Sequence, residues 1–173
     1  MGNRTVRGRS LAAALALLLC AGCLYQFRGG NFPEYIKTLS VDPVENGTPR
    51  LEVTGELNEQ LQRTLPAALG VRAASSDAAD AVVRVKVLSY QVNSPNYRAA
   101  TGPGQRTEVL QRQVEITAQV QIIDRVTNQI FWEETAVRAD GPFLETTETE
   151  EVGRAAAIKQ LVQKIVDGAQ SNW

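Results

Sequence analysis

EVLQRQVEITAQVQIID, residues 108–124, is the stretch from which the fold can be read. Leu110, Val114, Ile116, Ala118, Val120 and Ile122 share one parity, and Gln111, Gln113, Glu115, Thr117, Gln119 and Gln121 share the other. Successive side chains of a strand point to opposite faces. The alternation therefore predicts a long strand with one packed face and one wet or polar-partnered face. Residues 125–129 (RVTNQ) read as a hairpin turn. Residues 130–138 return as the next strand, with Phe131 and Trp132 as its bulky members. Asp140, Gly141 and Pro142 follow, a combination expected to break the sheet.

Upstream, residues 81–92 predict a second long strand. Ala81, Val83, Val85 and Val87 lie on one face, with Arg84 and Lys86 on the other. Leu88, Tyr90 and Val92 then take over the polar parity, which implies a bulge or a change of cover partway along. Residues 93–107 (NSPNYRAATGPGQRT) read as a loop of about 15 residues, a length that is functional or disordered where it carries no structure of its own. Tyr97, Arg98 and Arg106 are its contact-prone members.

Toward the N-terminus, residues 35–44 predict a first strand through Ile36, Leu39, Val41 and Val44, with Pro43 ending its pairing. Residues 45–49 form a turn in which Thr48 is placed to cap a helix and Pro49 to open it. Leu57, Leu61 and Leu65 recur every four residues among polar neighbours, the mark of an amphipathic helix, which Pro66 is expected to end. Residues 70–74 suit a short strand and residues 75–80 a polar turn. At the other end, Thr147 and Glu150 have capping-box spacing, and Glu145, Glu148 and Glu151 add negative charge to a helix start. Val152, Ala155, Ile158, Leu161, Val162, Ile165, Val166 and Ala169 then form the expected buried stripe, and Gly168 is expected to end the helix.

Two amphipathic helices each need an apolar wall, and the sheet offers one good apolar face. The predicted architecture is an α+β two-layer sandwich, with both helices on one face of a mixed four- to five-stranded sheet. The first strand joins through a crossover helix and the later ones by hairpins. The remaining face, rich in Gln, Thr and Glu, is too polar for a second core.

The first residues belong to a different physics. Arg4, Arg7 and Arg9 precede an apolar run over residues 11–24 that ends in Leu17-Leu18-Leu19-Cys20-Ala21-Gly22-Cys23. At about 14 residues the run is short of the roughly 20 needed to span a bilayer. A basic start, a short apolar middle, small residues and a cysteine read as a lipoprotein signal peptide, although Cys20 stands where that motif usually has an aliphatic residue. Cys23 would become the first residue of the exported chain, acylated on its sulfur and amino group, and several acyl chains anchor firmly. The expected division is residues 1–22 as signal peptide, 23–34 as an acylated arm and 35–173 as a single α+β domain. Leu24, in place of Asp, favours the outer membrane in a Gram-negative envelope.

The 173 residues carry 18 Lys and Arg against 19 Asp and Glu. Losing the three leader arginines leaves a balance of −4, no footprint for nucleic acid. The chain has no histidine, and both cysteines lie in the export segment. The commonest general base and the commonest metal ligand are therefore missing, and no metal, cofactor or enzymatic role is expected. Asp77, Asp80, Asp124 and Asp140 fall in turns, where Asp is favoured for local hydrogen bonding.

Several features then converge. The cysteine is followed by Tyr25 and Phe27, a Gly29-Gly30 break, and a first strand closing in PVENGT (residues 43–48). Further on come DAADA (residues 77–81), DRVTN (residues 124–128) leading to Trp132, and a closing amphipathic helix. Over nearly the whole exported chain this resembles the LPS-assembly lipoprotein family, LptE. It departs at Leu24, where many members have Gly, and at Cys20. The resemblance implies a non-enzymatic lipoprotein on the periplasmic face of the outer membrane, held there by its lipid anchor. Its partner would be a large, LptD-like β-barrel of the lipopolysaccharide export machinery, whose lumen it partly plugs. It implies contact with lipopolysaccharide, for whose phosphates Arg84, Lys86, Arg98, Arg106 and Arg112, with Tyr97, are the available contacts. The competing expectation is another periplasm-facing outer-membrane lipoprotein, acting as a secretion accessory or an envelope structural protein.

Overall fold

The computed structural model describes residues 32–98 and 108–171. In chain order the elements are β1 (Thr38–Val41), β2 (Glu45–Asn46), α1 (Glu52–Ala68), β3 (Arg72–Ala73), β4 (Ala81–Arg98), β5 (Glu108–Asp124), β6 (Gln129–Phe143) and α2 (Glu150–Ser171). The sheet runs β3-β1-β4-β5-β6, with β2 also on β4. β1 is parallel to β3 and β4, β2 is parallel to β4, and the β4-β5-β6 meander is antiparallel. The sheet is mixed, as expected, but has six strands instead of four or five. The extra member is β2, a two-residue piece within residues read as a turn, while β3 falls within the short strand expected over residues 70–74.

The alternation of β5 translates directly into burial. Val114, Ile116, Ala118, Val120 and Ile122 are inaccessible to solvent. In the same core lie Leu57, Leu61 and Leu65 of α1 and Ala157, Leu161, Ile165 and Ala169 of α2, all equally buried. Each fully buried aliphatic side chain contributes about 1.5–3 kcal/mol of transfer free energy. The change of parity in β4 is a bulge between Val87 and Ser89. Val87 is the last odd residue facing the helices, and Tyr90 and Val92 pack on the core after it.

Both helices run in the same direction. Glu150 receives the Tyr90 hydroxyl at 2.7 Å and lies 3.5 Å from Arg50, beside the second half of β4. At the far end Gln170 Nε2 donates to the Ala68 carbonyl at 3.0 Å. The seam between the helices is closed by Arg154 of α2 and Glu56 of α1.

Several local expectations fail, each for a physical reason. α1 passes through Pro66 to Ala68, because a proline sacrifices one helical bond and its buried ring adds packing. The helix stops instead at Gly70, whose φ is +71°. Gly70 N–H donates to the Ala67 carbonyl and Val71 N–H to the Pro66 carbonyl, the paired closure that favours glycine in the left-handed region. Thr48 does not cap α1. Its N–H and hydroxyl both donate to Asn46 Oδ1, making a turn ahead of a helix that begins with no side-chain cap. Glu45 and Asn46, read as turn, pair with Lys86 and Val87.

β6 does not break at Gly141 and Pro142, which pair with Val114 and Gln113. β6 is the edge of the sheet, where a proline without an N–H costs no ladder bond. The segment over residues 93–107 is not all loop: β4 continues to Arg98 and β5 begins at Glu108, with Pro95 in an irregularity between Asn93 and Asn96. α2 starts at Glu150, after Thr147, and Glu150 spends its carboxylate on Tyr90 instead of closing a capping box. Its buried stripe opens with Gly153, Arg154 and Ala157, while Val152 and Ala155 face solvent. α2 also continues past Gly168, which is a packing notch for the Trp132 indole and not a terminus.

Candidate functional site

The face of the sheet turned away from the helices is the candidate site. On β4, Arg84 and Lys86 lie opposite Gln121 and Gln119 of β5. One strand further, Glu133 of β6 accepts from Gln121 at 2.7 Å and from Gln119 at 3.3 Å. On the other flank, Arg84 Nε donates to Asp42 at 3.1 Å, and Lys86 stands 4.0 Å from Glu45. The result is a shallow cavity of about 270 Å³ lined by Asp42, Pro43, Glu45, Arg84, Lys86 and Gln121, among others.

Further along the same face, Glu115 is buried, ion-paired to Arg138 of β6 and 3.5 Å from Asn93 of β4. At the opposite end the connection between β3 and β4 crosses over the face. Ser76 Oγ reaches Asp42 at 3.3 Å, and Arg125 donates to the Ser76 carbonyl. Ser40 and Val82 are buried there. Among the described residues no helix covers this face, whose middle is a lattice of donors and acceptors open to a polar partner.

Two of the carboxylates read as turn residues, Asp80 and Asp124, are occupied, whereas Asp140 lies within β6. Asp80 accepts from the Lys37 and Thr38 N–H groups and from the Thr38 hydroxyl, at 2.8–2.9 Å. These bonds, the Lys37 N–H foremost, hold its carboxyl below the usual Asp value. Asp124 is buried, and burial works to raise it. The Tyr35 and Thr127 hydroxyls, with the Thr127 and Val126 N–H groups, outweigh that and leave it lowered. Both carboxylates tie the start of β1 to the ends of β4 and β5. Burial, then the Glu150 carboxylate, pushes Tyr90 up to about 12. Among the described residues no group of three or more His, Cys, Asp or Glu is arranged to hold a metal, and no helix is long and apolar enough to cross a membrane.

The sequence-predicted contacts divide. Arg84 and Lys86 come together on the open face. Arg112 does not join them: it shares the parity of Val114, lies on the helix side and meets Glu145 at 2.9 Å. Tyr97 and Arg98 sit far along the β4-β5 ladder, where their backbones pair with Val109 and Glu108. Cys23 and Arg106 lie outside the described residues. Reading the sequence missed Asp42, Glu45, Glu133 and Arg138 as members of the face. Glu133 and Arg138 have opposite parity because the ladder shifts register between them, so a period-two count could not have placed both. Asp42 and Glu45 arrive through a parallel pairing that leaves no local trace.

The family model described as LptE, lipopolysaccharide-assembly, matches residues 36–168. Among solved structures, a hypothetical protein from Chlamydia trachomatis superposes with a TM-score of 0.53 at 11% identity, covering 79% of this chain and 99% of that one. A protein from Xanthomonas campestris gives 0.50 at 12%, covering 78% and 82%. A minor lipoprotein from Acinetobacter baumannii is 23% identical with a TM-score of 0.48, covering 79% and 94%. The first two likenesses are ones of fold. A comparison with curated proteins finds no match.

Proposed function

Because this chain belongs to the LptE lipopolysaccharide-assembly family, we propose that it is a lipoprotein of the outer membrane, acylated at Cys23 and facing the periplasm. There it partners and partly plugs a large LptD-like β-barrel and helps insert lipopolysaccharide into the outer leaflet. Residues 1–22 are the removed signal, 23–34 the acylated arm and 35–173 the working domain.

The observation that carries the reading is the uncovered polar face. A barrel lumen is polar and water-lined, and a wall of Gln119, Gln121, Glu133, Arg138 and Lys86 can meet it without burying an unpaired apolar surface. The same face supplies the phosphate contacts. Arg84 and Lys86 are exposed and each is held by one acidic partner, Arg84 by the half-buried Asp42 and Lys86 by the exposed Glu45. Exposed pairs of this kind contribute about 0–1 kcal/mol. Exchanging Asp42 or Glu45 for a lipid phosphate therefore costs little, and an Arg–phosphate contact is strong. Tyr97 and Arg98, far along the β4-β5 ladder, form a second contact group with Arg106, which lies outside the described residues, and Arg112, on the helix side, is at most a minor contact.

The test is capture in mild detergent with a photo-crosslinker at Gln121 and, as control, at Ala155 on the exposed side of α2. A large β-barrel of the lipopolysaccharide export machinery, linked from Gln121 and not from Ala155, is the expected product. Recovery of a secretion pore or peptidoglycan instead would overturn the proposal. So would unchanged surface lipopolysaccharide after depletion of the protein.

A further inference from the structure

Seven large apolar side chains are exposed among the described residues, and three of them gather in one corner: Tyr35, Val126 and Ile130, at 51%, 61% and 54% exposure. Asp124 joins them. The Tyr35 hydroxyl donates to its Oδ2 at 2.6 Å, the Val126 N–H donates to its Oδ1 at 2.7 Å, and Ile130 pairs with its neighbour Ile123. Phe131, next to Ile130, stacks edge-on to Phe32 with centroids 4.9 Å apart. A single exposed apolar residue needs no explanation, but a group at the tip of a hairpin marks an interaction surface. Lys37 and Arg125 are exposed at the same corner, against Glu34.

We propose that this corner is a second membrane contact, in which Tyr35, Val126 and Ile130 seat at the boundary between headgroups and acyl chains. The choice of a bilayer as the occupant comes from where the chain leads. Phe32 lies in this corner, and eight residues separate it from Cys23. Even fully extended, that arm spans roughly 30 Å, so an acylated Cys23 keeps the corner near the lipid. The other exposed apolar group, Leu51, Leu144 and Val152, lies level with residues 112–116 of β5, eight to twelve residues from Asp124, roughly 25–40 Å. The composition fits the site. Tyrosine is enriched at membrane interfaces, and basic side chains are drawn to anionic headgroups. The aliphatic tip of the hairpin supplies apolar area. This inference rests on acylation for its geometry, and the experiment separates the two.

Acylated protein extracted from membranes and reconstituted into phosphatidylethanolamine–phosphatidylglycerol vesicles would carry a nitroxide at Val126→Cys, Ile130→Cys or, as control, Leu51→Cys. The expected result is loss of broadening by a water-soluble nickel chelate at 126 and 130, with gain of broadening by oxygen, while the label at 51 stays open to nickel. Acylated protein with all three labels open to nickel overturns the contact and leaves the anchor standing. Shielding from nickel without a gain from oxygen overturns it in favour of a protein contact. Mass spectrometry of the same preparation reports on Cys23: an unmodified cysteine with the protein free of vesicles removes anchor and contact together.

Discussion

Arg154 of α2 grips Glu56 of α1 through two donors, Nε to Oε2 at 2.9 Å and Nη2 to Oε1 at 2.8 Å. The guanidinium is almost wholly buried and the carboxylate is partly exposed. The pair is charge-assisted and forked, the geometry that makes an arginine pair strong. With the Gln170–Ala68 bond at the far end, it fixes the register of two helices otherwise joined by aliphatic contacts.

The asymmetry of burial predicts an asymmetry of cost. Glu56→Ala strands a buried cation and should lose about 2 kcal/mol, less than a fully enclosed pair because water still reaches the site. Arg154→Met fills similar volume and leaves Glu56 to solvent, so it should lose under about 1 kcal/mol. Urea unfolding midpoints of the two variants, compared with the parent, check this order. Equal losses would mean that the guanidinium finds water or Tyr90 as a substitute.

Glycines separate position from composition. A methyl group at Gly141 of β6 would overlap the Gly153 carbonyl of α2 and stand 2.6 Å from the Ala157 nitrogen. Both are backbone and cannot move aside, so Gly141→Ala should cost about 3 kcal/mol. Gly55, in α1, has nothing within 4 Å of the same added atom. Gly55→Ala should stabilise by about 0.5–1 kcal/mol, through lower entropy of the unfolded chain. Thermal melts of the two variants should move in opposite directions.

That contrast also explains what was legible. The strands β4 and β5 and the stripe Leu57-Leu61-Leu65 could be read because burial on one side writes a period into the sequence. The bulge after Val87 could be read because it changes the phase of that period. Gly141 and Gly168 were misread as breakers because a glycine demanded by a neighbouring element looks the same as one demanded by a turn. Pro142 and Pro66 misled for a related reason: their cost depends on whether the missing N–H had a partner. For the site, the polar parity of β5 was visible, but the Asp42–Arg84 and Glu45–Lys86 pairs depend on parallel strands brought together over some forty residues. The grouping of Arg112 with Arg84 failed on parity, which counting from Val114 would have corrected.

Stability should fall at both extremes of pH, for different groups. Asp80 and Asp124 are held below the ordinary Asp value of 3.8 in the folded chain. Their contribution is complete above that value and is lost as pH drops through the folded pKa values. Tyr90 is raised from 10.0 to about 12. Its contribution is complete below pH 10 and is lost as pH rises toward 12. Asp80→Asn should flatten the acid limb of a stability–pH curve, and Tyr90→Phe the alkaline limb. Tyr35, bonded to Asp124, is raised as well, so tyrosinate absorbance should show late titration of both, and only the Tyr90 component should disappear in Tyr90→Phe.

The functional reading can be tested without disturbing the fold, because its cations are exposed and its core is elsewhere. Arg84→Glu with Lys86→Glu reverses charge beside Asp42 and Glu45, loses two surface pairs and should change stability by about 1 kcal/mol or less. If the open face meets lipid phosphates and the barrel, the double variant should lose lipopolysaccharide capture and barrel co-purification while melting almost as the parent does. Arg112→Gln removes a cation from the helix side of the same sheet, where it meets Glu145. It should leave capture nearly unchanged. A double variant that still captures both partners, or an Arg112→Gln variant that loses them equally, would move the contact away from the open face to the ends of the hairpin or the helix side.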